Sequence, residues 1–382
     1  MNNKSLPSLA IFALLTFALA GCDTSDLTGG KPSNGKSSDV KVAPAAGTGM
    51  RMMPIPVKDP MMNNIKAFTV LAPQGWNYDA KVEWHHEYEN LASANVLIKN
   101  PANGDQVQIY PFIPYVWNPN ALVPLPVGGI YLGGYVMAPI QDPAVFIQQV
   151  VIPAFRPGIA NVQVLDKTPL TQVAQTIWQT TYASNKNYGV SAASFTIRYN
   201  LNGGTFDETF YCALNYATDP SLPGAVLWRP EWIFSTRAFA GELQNNQGLM
   251  MAAATSVTVD MKWFAGYLQV HKLWQDGQMA AIRSAGELSR YVSGVNASID
   301  QTIISGYKDR QASEDRVFDS FSESIRGVET YNDLVNGGNV QLPSGYSNVW
   351  VNTSGEYFLT NDAGVDPNVG STLSYTALNP AE

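Results

Sequence analysis

Alternating apolar and polar positions predict that much of this chain folds into β-strands. The run Lys-Ala-Phe-Thr-Val-Leu at 66–71 has this alternation, and Pro-Gln-Gly-Trp at 73–76 forms a turn after it. The same pattern predicts strands at 81–88, 94–99, 106–112, 192–200, 205–216 and 226–239. Asn202 and Gly203 favour a hairpin turn before the strand at 205–216. Pro230 predicts a kink in the last strand of this series.

Apolar residues at helical spacing predict helices between and after these strands. Asp142 followed by Pro143 is a helix-start signal for a helix reaching about 152, and Thr168 with Pro169 repeats it before 170–182. From residue 260 the pattern changes, and helices are predicted at 261–276 and 279–324. The long apolar stripe of the last segment is typical of a packed core seam.

After residue 326 the pattern is again that of strands, at 340–346, 349–351 and 356–359, with a hairpin turn at 352–355. The sequence therefore predicts an α+β fold: an antiparallel sheet with flanking helices, then a long helical segment and a C-terminal β-hairpin module. The predicted divisions are a leader at 1–21, a lipidated cysteine and flexible tether at 22–63, an α+β sandwich domain at 64–257, a helical segment at 258–325 and a β module at 326–382.

The first 22 residues have the organisation of an export signal. Lys4 precedes an apolar run at 6–20, and the run ends in Leu19-Ala20-Gly21-Cys22. This ending resembles the lipobox of bacterial lipoproteins. The resemblance implies cleavage before Cys22, a diacylglyceryl group on its sulfur and palmitate or another acyl chain on its amine. The alternatives are an ordinary secretory signal with a chance cysteine and an uncleaved N-terminal helix.

The composition of the segment that follows the leader predicts a flexible tether. Residues 23–49 are rich in Gly, Ser, Pro, Lys and Asp and have no periodic apolar pattern, as in flexible linkers. Residues 50–62 add five methionines and three prolines. They could cross the body as an extended strand or stay loose, and the sequence leaves both open.

The start of the folded body resembles one known fold family. Phe68, Val70, Pro73, Gly75 and Trp76, opening a strand-rich body, look like the start of Mog1/PsbP-like domains. The resemblance implies an antiparallel sheet between helical layers and a binding or assembly role without catalysis. The family has no shared active-site residues to transfer. The C-terminal part is similar to segments of uncharacterised bacterial lipoproteins.

Composition and charge narrow the functional classes. The chain of 382 residues is 45% hydrophobic and 14% charged, with a formal net charge of −8. This hydrophobic content excludes wholesale disorder, and the acidic balance argues against a nucleic-acid partner. Of the two cysteines, the lipobox takes Cys22, so Cys212 has no partner for a disulfide within one mature chain. Cys212 is interpreted as a buried small apolar residue.

Motifs for catalysis or metal binding are largely missing from the sequence. The three histidines, His85, His86 and His271, lack zinc spacing, and a strand at 84–88 would point the first two to opposite faces. There is no Gly-x-Ser-x-Gly element, although a Ser-His-Asp set assembled by the fold stays open. The carboxylate pairs are interpreted as solvated faces: Glu83 with Glu87, Glu87 with Glu89, and Asp207 with Glu208. We therefore predict no catalytic residue, no metal site and no cofactor.

Aromatic residues are the remaining candidates for function. Tyr110, Phe112, Tyr115 and Trp117 lie in a proline-rich stretch that is unlike a central strand. Exposed rings on a stiff loop suit a protein or glycan partner, whereas packing beneath the loop is the alternative.

These observations predict an envelope lipoprotein, anchored to a membrane through Cys22 on the periplasmic or cell-surface face. Its predicted role is non-catalytic binding or scaffolding, with an envelope protein as the expected partner. The alternative is an envelope hydrolase acting on glycan or peptide. The sequence leaves open whether the protein is an enzyme. The scarcity of catalytic motifs favours a protein without enzymatic activity.

Overall fold

The structure, a computed structural model, describes residues 49–121, 124–182, 187–218, 220, 223–277, 327–336 and 338–381. Cys22, the predicted tether as far as residue 48, and the predicted helix at 279–324 lie outside the described residues. In the described part, the chain forms many strands, most of them in antiparallel pairs, and only a few helices. The α+β class is confirmed in this coarse form, with β-structure dominant.

The large sheet carries most of the strands predicted from alternation. In spatial order they are β3 (Asn77–Trp84), β4 (Ala92–Lys99), β5 (Gln106–Ile109), β12 (Val226–Phe239), β11 (Gly204–Thr218), β10 (Tyr188–Leu201) and β9 (Ala160–Pro169). Short strands β6 (Tyr115–Trp117), β7 (Ile130–Tyr131) and β8 (Gly134–Val136) extend it beside β12. The hairpin turn predicted at Asn202 and Gly203 is confirmed, since Leu201 pairs with Gly204.

Two smaller sheets complete the β-structure. One has the order β13 (Thr258–Val259), β2 (Ile65–Pro73), β1 (Met50–Asp59), β17 (Tyr357–Thr360), β16 (Asn348–Asn352) and β18 (Tyr375–Ala377). The other consists of β15 (Gly338–Pro343), β14 (Val328–Asp333) and β19 (Asn379–Pro380).

Strand β1 lies in the segment 50–62, for which the sequence left open an extended strand or a loose chain. Met50 pairs with Leu359, so this part of the region predicted at 22–63 is a strand between β2 and β17. Arg51 also donates a hydrogen bond of 2.8 Å to the Tyr375 hydroxyl. The C-terminal strands β16, β17 and β18 therefore share a sheet with β1 and β2 at the start of the body. Local patterning does not report such pairing, because it joins residues about 300 positions apart.

Helices cover both faces of the large sheet. On one face, α1 (Pro143–Phe146) continues through a π-helical turn (Ile147–Val151) into α2 (Ile152–Phe155). Asp142 caps α1 as predicted, since its Oδ1 accepts from the backbone N of Ala144 at 2.9 Å. The other face carries α3 (Thr171–Ile177), a π-helical turn (Trp178–Tyr182), α4 (Gln247–Ala254) and α5 (Met261–Gln275).

The core has two parts, one on each face of the large sheet. Phe146 and Ile147 of the α1 segment pack against Phe210 and Ile197 of the sheet. On the other face, α4 lies between β2 of the second sheet and β5 and β12 of the large sheet. Six of its eight residues are buried, as expected for a helix enclosed on all sides.

Asp59 fixes α5 against the two sheets. It is fully buried at the end of β1 and accepts hydrogen bonds from the indole Nε1 of Trp84 at 3.1 Å and of Trp263 at 2.6 Å. Burial raises the pKa of Asp59, which these indole donors and the backbone N of Met61 partly offset. The end of β3 and the start of α5 are thereby held together.

Two local predictions are wrong in detail. The strand predicted at 81–88 ends at Trp84, so His85 and His86 lie in a turn instead of on opposite faces of a strand. Thr168 and Pro169 end strand β9, and Leu170, without a capping side chain, precedes α3. The extent of the helical segment after it, to Tyr182, is as predicted.

None of the helices in the described part of the chain combines the length and the apolar character that spanning a membrane requires.

Candidate functional site

Two arginine-centred clusters lie on opposite faces of the large sheet, and they differ in how their charges are paired. The first, the Arg156 network, consists of Arg156, Glu208, Tyr110, Tyr199 and Ser235. Arg156 donates from Nε at 2.8 Å and from Nη2 at 2.5 Å to the two carboxylate oxygens of Glu208. Tyr199 and Ser235 each donate to the same carboxylate at 2.6 Å.

The charges of the Arg156 network are satisfied within the protein. Glu208 is fully buried and Arg156 is 7% exposed. Burial by itself would raise the pKa of Glu208, but the ion pair with Arg156 and the hydroxyl donors hold it below its ordinary value. Such a saturated pair leaves no group for a ligand, so we interpret this network as structural.

The second cluster, the Arg229 cluster, consists of Glu89, Tyr182, Tyr188, Arg229 and Glu231. Strand alternation places Arg229 on the face opposite the buried Trp228. The pairing of β11 with β12 shifts at this point, and Glu231 is the extra residue of the resulting bulge. A bulge redirects side chains, and Pro230 fits one because it has no N–H to donate.

The buried part of the Arg229 cluster consists of polar side chains that bond to one another. Glu231 accepts hydrogen bonds from the Tyr182 hydroxyl and from Nδ2 of Asn215, and Asn215 also donates to Tyr182 at 2.9 Å. Asn215 pairs with Arg229 across the strands. The ring of Tyr188 stacks on that of Tyr182, with centroids 4.6 Å apart and planes 9° from parallel.

Glu89 reaches the cluster from the loop after β3. Its backbone N donates to the carbonyl of Gly133 at 2.8 Å. Gly133 has a φ of +76°, and a Cβ there would stand 2.5 Å from the Trp274 ring and 2.8 Å from the Glu89 nitrogen. Only glycine suits this contact, which holds the loop, the β7–β8 hairpin and the end of α5 together.

Arg229 and Glu89 are both partly exposed, and both lack a direct partner. Within the described residues, neither side chain makes a hydrogen bond or an ion pair within 4.0 Å. Their charges nevertheless act on each other. Burial raises the pKa of Glu89, and the positive charge of Arg229 partly offsets this. Burial alone would lower the pKa of Arg229, but Glu231 and Glu89 raise it on balance.

His271 borders the cluster from α5. It is 7% exposed and stacks between Tyr267 and Trp274, with ring centroids 6.1 and 5.9 Å away. Burial and the positive charge of Arg229 both lower the pKa of His271. Its imidazole is therefore neutral at pH 7.

The cluster can bind charged groups more readily than a metal. No group of three or more His, Cys, Asp or Glu side chains that could hold a metal ion occurs in the described part of the chain. A guanidinium forms paired hydrogen bonds with a carboxylate or phosphate, and a carboxylate accepts from an ammonium group. Arg229 offers the first kind of contact, and Glu89 offers the second.

The structure places the predicted aromatic residues mostly inside the body. Tyr110 and Tyr115 are 1% and 6% exposed and belong to the core under α1, so an exposed face built on these two rings is wrong. Phe112 and Trp117 are partly exposed and stay candidates for contact with a partner. Cys22, the predicted lipidation site, lies outside the described residues.

Other sequence candidates have structural roles. Cys212 is fully buried, which raises the pKa of its thiol. Asp207 and Glu208 point to opposite faces, where Asp207 pairs with Arg198 at 2.7 Å and Glu208 with Arg156. The sequence analysis considered Glu89 only as part of a carboxylate pair with Glu87. It did not identify Arg229 or Glu231 as candidate site residues. The one local signal was a proline between two charged residues in an otherwise apolar strand.

Comparisons with known proteins give no relative from which a role could be transferred. The chain matches no protein-family model, and a search of curated proteins found no match.

Proposed function

We propose that this protein is a lipid-anchored lipoprotein of the bacterial cell envelope whose body binds a ligand or partner without catalysing a reaction. The lipobox-like ending at Cys22 supports the anchor, because diacylglyceryl and palmitate chains together hold a protein stably on a membrane. The linker-like composition of residues 23–49 supports a tether that separates the body from that membrane.

The unpaired state of Arg229 and Glu89 is the observation that carries the binding role. Burying part of a charged group without a partner costs free energy, so a protein with no use for these charges gains by pairing or losing them. The same fold pairs Arg156 and Glu208 completely. A partner from outside the chain would satisfy Arg229 and Glu89 in the same way.

A Mog1/PsbP-like arrangement of residues 64–257 is part of this proposal. β2 ends at Pro73, ahead of Gly75 and Trp76, and the large antiparallel sheet carries helices on both faces. These features support the resemblance. Phe112 and Trp117, both partly exposed, are the proposed contacts with an envelope protein.

The test uses the full-length, tagged chain in a bacterial host that processes lipoproteins, beside its C22A and R229Q variants. Wild type and R229Q are expected in the membrane fraction with labelled palmitate attached, and C22A is expected without label and free of the membrane. Mass spectrometry of molecules that copurify should then find species retained by wild type and lost from R229Q. Identical retention by both would contradict binding at the Arg229 cluster, and an unlabelled wild type would contradict the anchor.

A hydrolase of glycan or peptide is the second candidate function. It is favoured by two carboxyl groups, Glu89 and Glu231, whose charges both raise the pKa of Arg229. Glycoside hydrolysis uses such a pair, and the raised pKa of Glu89 suits a proton donor. Fluorogenic glycosides and peptides test this role. Turnover that falls about a hundredfold or more in E89Q and E231Q, but not in R198Q, would favour the hydrolase over the binding role.

A further inference from the structure

The β7–β8 hairpin exposes a group of apolar side chains at its tip. Val127 is 71% exposed, and Ile130, Tyr131 and Leu132 are 45%, 39% and 62% exposed. Single exposed apolar residues are common on protein surfaces, but several within residues 127–132 form a patch. Leaving such a patch in water costs free energy, which contact with an apolar phase would recover.

The turn of this hairpin carries a residue that its backbone conformation disfavours. Leu132 and Gly133 are the two turn residues, with φ values of +49° and +76°. Two positive φ values in succession favour Asn followed by Gly. The β10–β11 hairpin has this sequence, Asn202 and Gly203, at φ values of +49° and +81°. Leucine at 132 therefore costs stability that asparagine would not, and its exposed side chain gains little packing in return.

The hairpin is held firmly on the body. The backbone N of Glu89 donates to the carbonyl of Gly133 at 2.8 Å, and that of Tyr135 donates to the carbonyl of Pro114 at 2.9 Å. The ring of Trp274 fills the space beside Gly133. A tip fixed in this way loses little conformational entropy when it makes a contact.

The chemistry of this part of the chain favours lipid over a protein surface. Residues 106–141 contain no Asp, Glu, Lys, Arg or His, although 14% of the whole chain is charged. A protein interface usually surrounds its apolar centre with a polar rim. Uncharged apolar side chains with a tyrosine among them suit the boundary between lipid headgroups and acyl chains, where tyrosine rings are enriched.

We propose that the β7–β8 hairpin inserts its tip into the surface of the membrane that holds the lipid anchor. This inference rests on the anchor at Cys22 in the proposed function and adds a second contact, which fixes the side of the body that faces the bilayer. The 26 residues between Cys22 and Gly49 reach about 85–95 Å when extended. This exceeds the roughly 33 Å length of the ten-residue strand β1, so the tether lets the body turn its hairpin to the membrane.

The experiment places a fluorescent label on the hairpin of the full-length protein and measures its contact with acyl chains. L132C is labelled with a maleimide of the fluorophore NBD. It is then reconstituted in vesicles of phosphatidylethanolamine and phosphatidylglycerol, with or without bromine on the acyl chains as a quencher. Wild type treated with the same reagent gives the background from Cys22 and from the buried Cys212.

V369C is the matched control. Val369 is an apolar residue that is 81% exposed. It lies on the side of the body where the tether begins, because Asn368 and Arg51 both donate to oxygens of Tyr375. A body held by its tether alone would bring residue 369 to the bilayer at least as often as residue 132.

The proposal predicts that brominated lipid lowers the emission of the label at 132 about twofold and that of the label at 369 by less than about a tenth. L132N gives a second measurement. In V127C carrying the same label, adding L132N should reduce the quenching. The double variant should nevertheless unfold at the same temperature as V127C or a higher one, because asparagine adopts a positive φ more easily than leucine.

Three results would overturn the proposal. The first is quenching at 132 that is absent or no stronger than at 369. The second is a label at 132 that iodide cannot reach before membranes are added, since another part of the chain would then cover the tip. The third is shielding of 132 in native membranes but not in vesicles, which would assign the tip to a protein partner.

Mass spectrometry of the N-terminal peptide tests the anchor separately in the same samples. Palmitate on Cys22 without quenching at 132 would refute the hairpin contact and keep the anchor. Quenching at 132 without palmitate would keep the hairpin contact and refute the anchor. The absence of both would refute both.

Discussion

The Arg156 network and the Arg229 cluster are built from similar side chains on opposite faces of one sheet. Each nitrogen of the Arg156 guanidinium donates to a partner: Nε to Glu208, Nη1 to Gln108 Oε1 at 2.8 Å, and Nη2 to the Tyr110 hydroxyl at 2.7 Å. Arg229 has two carboxylates nearby and is bonded to neither. The contrast teaches that pairing, more than burial or charge, separates a structural arginine from one that can receive a ligand.

The largest expected effect is on the Arg156 network. We expect R156M to lower the free energy of unfolding by about 3–5 kcal/mol, because it leaves the Glu208 charge buried without its partner. R229Q should change it by less than about 1 kcal/mol, since it breaks no bond. Urea denaturation of the three proteins checks both values. Equal losses in R156M and R229Q would remove the distinction between the clusters.

The double variant R156M/E208Q sharpens this result. With both charges removed, the loss should be smaller than the sum of the two single losses, because no isolated charge remains in the core. The three variants together form a mutant cycle read by the same denaturation. A sum that is simply additive would show that Arg156 and Glu208 act independently.

A smaller effect is expected at the contact that holds Glu89. G133A should lower the free energy of unfolding by about 2–3 kcal/mol, because the new Cβ strikes Trp274 and residue 133 keeps a positive φ. G158A is the matched control. Gly158 has a φ of +81° but no atom within 4 Å of the added Cβ, so only the backbone strain of about 1 kcal/mol remains. Thermal unfolding followed by circular dichroism compares them, and G158A losing as much as G133A would contradict the packing argument.

The contributions of Glu208 and Glu89 to the free energy of unfolding should change with pH in opposite directions. The folded pKa of Glu208 lies below its unfolded value, so Glu208 contributes stability above the unfolded pKa that is lost as pH falls through the folded one. The folded pKa of Glu89 is raised, so its cost to stability grows as pH rises from the unfolded to the folded pKa.

Unfolding free energies of wild type, E208Q and E89Q across the acidic range measure this difference. The advantage of wild type over E208Q should increase with pH, and that of wild type over E89Q should decrease. Two differences with the same sign would mean that Glu89 is paired in solution.

The smallest effect is expected at an exposed pair that belongs to neither cluster. Lys167 contacts Asp142 at 2.5 Å, with side chains 46% and 40% exposed. K167M should change the free energy of unfolding by less than about 1 kcal/mol, because water screens such a pair. Denaturation in low and high salt checks it. A loss as large as that of R156M would show that exposure does not weaken ion pairs in this protein.

Local sequence patterns predicted the elements that depend on neighbouring residues, such as strands with alternating apolar positions and a capped helix start. Alternation found β4, β10, β11 and β12, and Asp142 was identified as the cap of α1. Strand β1 was left open because its methionines and prolines break the alternation. β9 was missed because all ten of its residues are exposed, and α4 because it is apolar on every side.

The candidate site depends on contacts that no local pattern contains. Glu89, Arg229 and His271 come from a loop, a strand and a helix that are far apart in the chain and meet only through the fold. The bulge at Glu231, which Pro230 hinted at, follows from the register of β11 and β12. Whether a charged residue finds a partner is likewise decided by tertiary packing.

Reaction of the folded protein with phenylglyoxal, followed residue by residue by peptide mass spectrometry, tests the central claim most directly. Arg229 is partly exposed and makes no hydrogen bond or ion pair with the residues that the structure describes, so it should be modified much faster than Arg156. Equal rates at Arg156 and Arg229 would contradict the account.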